Sequence, residues 1–170
     1  MSFNETSNTI ETTVLANNIV NKTFKGVVVP MVTPITAALQ LDEHAVEKIF
    51  ANLYKYELQA FILGTTGESA SLSMDFKKAY INKAATLKVA GTHLYIGIGS
   101  NCFEESIELA KVAADSGADV VVATIPSYYA LTDTETKKYF EQLANHSPLP
   151  LIIYNIPSTT HVSLPLTVIE

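Results

Sequence analysis

From Gly26 onward the chain switches between short unbroken apolar runs and longer stretches in which apolar residues recur every three or four positions. The first run, Val27-Val28-Val29-Pro30-Met31-Val32, is rich in β-branched residues and is closed by Thr33-Pro34, which predicts a buried strand. Asp42 then offers N-cap chemistry, and Val46, Ile49, Phe50 and Leu53 follow at helical spacing. The alternation repeats. Residues 60–63 predict a second strand, residues 64–67 a loop and residues 74–88 a helix. Residues 94–98 predict a third strand and residues 103–115 a helix, stopped at Ser116-Gly117 because glycine accepts the left-handed backbone of many helix exits. Residues 119–123 predict a fourth strand, and Asp133 opens a helix to about Ala144. Residues 150–154 predict a fifth strand, and residues 164–170 the start of one more helix.

Five continuous apolar strands separated by four complete helices imply parallel βαβ units with a sheet covered on both faces. Two architectures meet that description, a doubly wound open sheet and a (β/α)8 barrel. The length of 170 residues favours the open sheet, since a full barrel takes about 250. The loops favour the barrel: a dinucleotide-binding sheet carries a glycine-rich turn after its first strand, where this chain has Pro30-Met31-Val32-Thr33-Pro34.

Residues 1–23 are rich in Asn, Thr and Ser, contain Glu5 and Glu11 and have no arginine. Neither a secretory signal nor a transit peptide is built that way, so the segment is expected to be a flexible N-terminal tail with at most a helical turn near Val14-Leu15. Residues 24–170 form the expected domain. The net charge of -6, with lysines scattered singly or in pairs, excludes the basic patch that nucleic acid requires. No run of 18 apolar residues suggests a membrane span. The single cysteine, Cys102, cannot pair internally, which favours a reducing, cytoplasmic setting. The Asn4, Asn21 and Asn145 sequons are then chance matches. His44, His93, His146 and His161 lack metal-ligand spacing, so surface or loop positions and no metal site are expected.

Chemistry-bearing residues collect where strands end, the edge that holds active sites in parallel α/β proteins. Gly64-Thr65-Thr66-Gly67-Glu68-Ser69 follows the second strand, Gly99-Ser100-Asn101 the third and Pro126-Ser127-Tyr128-Tyr129 the fourth, while Tyr154-Asn155-Ile156-Pro157 closes the fifth. Two glycines around two threonines can expose consecutive N–H groups beside two hydroxyls, a cradle for a carboxylate or phosphate. The same residues could equally make an ordinary tight turn. The Lys-Ser/Thr ending of a nucleotide-binding loop is absent. Glu68 is expected to cap the following helix, and Cys102 to be an inert loop thiol.

Together, Gly-Thr-Thr-Gly-Glu, Ile98-Gly99-Ser100-Asn101, the Ser116-Gly117-Ala118-Asp119 turn, Pro126-Ser127-Tyr128-Tyr129 and Tyr-Asn-Ile-Pro resemble the dihydrodipicolinate synthase / N-acetylneuraminate lyase family, in order and spacing, from Phe24 to Glu170. The resemblance implies a (β/α)8 TIM barrel, here truncated to about five strands and four helices. It also implies a class I aldolase that needs no cofactor and is typically a homotetramer. A lysine on the sixth strand would form a Schiff base with pyruvate or another 2-oxo acid. By the same resemblance Thr65 and Thr66 would hold the pyruvate carboxylate, and Tyr154 would shuttle protons. Tyr128 would reach across a subunit interface to orient that relay. Each has a plainer reading: a satisfied turn for the threonines, a packed strand residue for Tyr154, and Tyr129 as a substitute for Tyr128.

Two departures stand out. Thr159 occupies the place where synthases making the lysine precursor carry an arginine, and threonine has neither its charge nor its bidentate fork. That leans the expectation toward a sugar acid or other 2-oxo acid. Ser127 stands where sialic acid lyases often have phenylalanine. None of the lysines, from Lys22 to Lys138, falls at a predicted strand end, so the Schiff-base amine is missing and the chain is expected to be a fragment, silent alone. The alternative is a non-catalytic product that binds a small carboxylate or associates with a full-length relative.

Overall fold

Five parallel strands lie side by side in chain order: β1 (Val28–Pro30), β2 (Gln59–Ile62), β3 (Leu94–Gly97), β4 (Val120–Ala123) and β5 (Leu151–Ile153). The structure, a computed structural model, describes residues 24–169. The expected tail and the helical turn near Val14-Leu15 lie outside the described residues. Each strand pairs only with its sequence neighbours, in registers such as Val29 with Ala60, Phe61 with Tyr95, Ile96 with Val121 and Val122 with Ile152. A doubly wound sheet reverses its strand order at a switch point, and this one does not. The order is that of a barrel wall, and the open-sheet alternative is set aside.

The four long helices are α1 (Glu43–Lys55), α2 (Met74–Thr86), α3 (Phe103–Ser116) and α4 (Asp133–His146). All four pack on one face of the sheet. Ala60, Ile62, Leu94, Ile96, Val121 and Ala123 point outward into a core shared with Val46 and Phe50 of α1, Tyr80 and Ile81 of α2, Leu109 of α3 and Leu143 of α4. Each of the Val, Leu, Ile and Phe side chains among them, once buried, contributes roughly 1.5–3 kcal/mol. The alternate strand positions, Phe61, Tyr95, Val120 and Val122, form a separate inner cluster with Phe24, Val28 and Tyr154. The two-residue period of the strands is thus divided between the helix layer and the barrel interior.

Local chemistry explains the helix ends. Asp42 accepts a hydrogen bond from the Ala45 N–H at 2.9 Å, as its N-cap position leads one to expect. Thr132 and Glu135 form a capping box at the start of α4. Gly117 ends α3 with φ 91°, and Ala118 N–H returns to the Ala113 carbonyl.

Three expectations need correction. The helix expected over residues 164–170 is a single 3-10 turn, Leu166–Val168. It follows Pro165, whose ring removes a backbone donor, and Glu170 lies outside the described residues. An unforeseen short helix, α5 (Pro157–Thr160), follows β5 with proline in its first turn. Glu68 does not cap a helix by its side chain. It sits in the left-handed region at φ 51° before a 3-10 turn, Ser69–Ser71, and the cap of α2 is the Ser73 hydroxyl, which accepts from Phe76 N–H.

Candidate active site

The strand ends meet because the backbone leaves β2 abruptly. Leu63 takes φ 58°, and its carbonyl oxygen comes so near β3 that a Cβ on Gly97 would sit 2.0 Å from it. Only glycine fits there. The turn that follows is held by its own backbone: Gly67 N–H donates to the Gly64 carbonyl at 3.1 Å and Glu68 N–H to the Thr65 carbonyl at 3.0 Å. The Thr33 hydroxyl donates to the Gly67 carbonyl at 2.7 Å and ties the turn to the segment after β1.

These bonds consume the later N–H groups of the loop. The N–H groups and hydroxyls of Thr65 and Thr66 have no acceptor among the described residues, and both threonines are exposed. The donors left unengaged in this turn among the described residues are two consecutive amides and two hydroxyls.

Beside the turn opens a cavity of about 540 Å³ at the C-terminal ends of β2 to β5. Thr65 and Tyr154 both line it, so the structure brings together two of the four candidate residues. Thr66 adjoins the cavity without lining it. Tyr154 continues from β5, donating its N–H to the Ala123 carbonyl at 2.8 Å, and its ring meets that of Phe61 edge-on at 6.4 Å. Its hydroxyl has no hydrogen-bond partner among the described residues.

Tyr128 lies outside the cavity. It is 75% exposed and packs edge-on against Tyr129, itself 76% exposed, with ring centroids 4.9 Å apart. The Asn101 side-chain oxygen accepts from the N–H groups of Ser127 and Tyr128 at 3.0 and 3.1 Å, which fixes where this aromatic pair projects.

Sequence reasoning named Ser69 and Ser100 among the strand-end residues but missed Glu105 and Lys77, which line the cavity with them. Ser100 donates to the Glu105 carboxylate at 2.6 Å, and both line the space with Ser69 and Lys77. Lys77 is 5% exposed, and burial lowers its pKa, partly opposed by the negative charge of Glu105. The signal was in the spacing. Lys77, Tyr80, Ile81 and Ala84 fall on one helical face, and all four are buried. Lys78 points away to pair with Glu108, which raises its pKa. Thr159 also lines the cavity and brings no charge to it.

Cys102 is exposed at the position preceding α3, near the Glu104 carboxylate at 3.3 Å. His44, His146 and His161 are exposed, whereas His93 is half-buried before β3, with its Nδ1 unpartnered among the described residues.

A sequence profile of the Dihydrodipicolinate synthetase family matches residues 23–170. The chain is 37% identical over 147 residues to the 4-hydroxy-tetrahydrodipicolinate synthase of Alkaliphilus oremlandii, covering 85% of this chain and 50% of that protein. It superposes with a TM-score of 0.83 and 31% identity on YagE of E. coli K12, a prophage protein of the dihydrodipicolinic acid synthase family solved in complex with pyruvate. That match covers 87% of this chain and 50% of YagE. The chloride-inhibited dihydrodipicolinate synthase of Acinetobacter baumannii, complexed with pyruvate, gives 0.81 and 31%, covering 86% and 50%. The chain thus spans about half the length of these relatives.

Proposed function

The chain belongs to the dihydrodipicolinate synthetase family, and on that premise we propose that the complete protein is a carbon–carbon lyase working through an imine with pyruvate or a related 2-oxo acid. The observation that carries this reading is the meeting of Thr65 and Tyr154 on one cavity at the strand ends. A carboxylate placed against Thr65 and Thr66 would receive two consecutive amide donors and two hydroxyls, a set suited to an anion. The free hydroxyl of Tyr154 would then exchange protons with the bound substrate. The imine draws electrons from the adjacent carbon and makes the carbon–carbon bond labile near neutral pH. The amine for that step would come from a lysine on a sixth strand.

The substrate we propose is a sugar acid or another 2-oxo acid, because the cavity wall holds Thr159 and no arginine. The complete protein would be a cytoplasmic homo-oligomer in which Tyr128 reaches a neighbouring subunit, a use that suits its exposure. A second reading draws on β1 and β5 each being paired on one side only among the described residues. In it, this chain is a non-catalytic product that binds a small carboxylate or docks on a full-length relative.

Titration of the isotope-labelled chain with pyruvate tests the carboxylate site. The amide resonances of Thr65 and Thr66 are expected to shift most, and Thr65→Val to weaken binding. Shifts confined to surface lysines, or unchanged affinity in the variant, would remove the basis of the proposal.

A further inference from the structure

Lys77 is the one amine lining the cavity among the described residues, and the proposed chemistry leaves it without a task. Its stem runs through the buried face of α2, with only 5% of the residue exposed, and its amine has neither a hydrogen bond nor an ion pair among the described residues. The residue lines the cavity, whose wall also holds Ser69, Ser71, Ser73, Ser100 and Glu105 along with Leu72 and Met74. Glu105 faces the amine electrostatically, but its carboxylate is already engaged by the Ser100 hydroxyl. Glu68 is the other carboxylate on the wall. Lysine in such a place loses part of the water that normally stabilises its charge, which raises the share of neutral, nucleophilic amine at a given pH.

We propose that Lys77 is a carbonyl-reactive amine that condenses with small aldehydes or 2-oxo acids entering this cavity. The nitrogen lone pair attacks the carbonyl carbon, the oxygen takes up the two amine protons and departs as water, and a carbon–nitrogen double bond remains. Nothing is oxidised or reduced. Lys78, next in sequence, is the internal contrast: it is paired with Glu108, which favours its protonated form. The inference goes beyond the lyase reading and does not depend on it, because an aldehyde without a carboxylate needs neither Thr65 nor Thr66.

The folded chain is incubated near neutral pH with propionaldehyde or with pyruvate, each with cyanoborohydride to fix any imine, and the modified lysines are mapped by peptide mass over time. Lys77 is expected to be labelled first in both reactions, ahead of Lys78 and the other lysines, and that fast adduct is lost in Lys77→Arg. Labelling by pyruvate alone would support the site and confine it to 2-oxo acids. Labelling of all lysines at similar rates, or of another lysine first, would overturn the assignment. Because the order of labelling is read in the unaltered chain, the test does not depend on the variant folding. Loss of pyruvate shifts at Thr65 with retained propionaldehyde labelling at Lys77 would defeat the carboxylate reading and leave this one standing.

Discussion

The carbonyl oxygen of Leu63 occupies the space a side chain on Gly97 would need, 2.0 Å from the position of its Cβ. Leu63 is itself in a left-handed conformation, so the exit from β2 can relax little without moving the Gly64–Gly67 turn. Gly97→Ala is therefore expected to cost roughly 2–4 kcal/mol, from backbone displacement and not from lost burial. The shift in urea midpoint measures it. Amide shifts should concentrate at residues 63–68. A substitution tolerated within about 0.5 kcal/mol would show that the close approach is not required.

Lys77 gives the chain a pH dependence of definite sign. Its pKa is lowered in the folded state from an ordinary value of 10.5, so the unfolded chain binds more protons between the two values. Stability is thus reduced below the folded pKa and rises as pH climbs toward the unfolded one. Above about 10 the opposite contribution begins, because burial raises the pKa of Tyr80 and Tyr95 and the folded chain holds those protons longer. Urea unfolding across the alkaline range should show the rise, and Lys77→Met should flatten it. An unchanged slope in the variant would assign it to another group.

The open edge at β5 should govern association. Ile152 is 38% exposed on the side of the strand opposite Leu151 and Ile153, which pack on the helix-layer core. With β1 and β5 each paired on one side only among the described residues, this 170-residue chain is expected to self-associate through edge pairing. Ile152→Lys places a charge on that edge and should lower the average mass in light scattering at equal concentration. Equal masses for the two proteins would place the association elsewhere.

The proposed mechanism calls for an amine aligned with Tyr154 at the strand ends, and Lys77 extends from a helix instead. The chain alone is expected to release no pyruvate from N-acetylneuraminate or from 2-keto-3-deoxy sugar acids in an assay coupled to lactate dehydrogenase. Release that disappears in Tyr154→Phe would show that an amine within this chain suffices.

Much of the architecture was legible in residue order. The β-branched runs at Val27-Val28-Val29 and Val120-Val121-Val122, the Asp42 cap and the Gly117 exit are local signals, and each acts within a few residues of itself. They determined five strands, four long helices and their parallel sense. The strand-end motifs placed Thr65 and Tyr154 on the C-terminal edge of the sheet for the same reason, since a strand's direction fixes which end its last residue occupies. Other features depended on neighbours distant in sequence. The barrel-type strand order follows from pairing across crossovers. The choice of glycine at 97 follows from the carbonyl of Leu63, and the orientation of the Tyr128-Tyr129 pair from the amide of Asn101. The burial of Lys77 beside an unalike Lys78 was hinted at by helical spacing. It became a chemical fact only once α2 packed on the sheet, because desolvation is a property of what surrounds a charge and not of the residue that carries it.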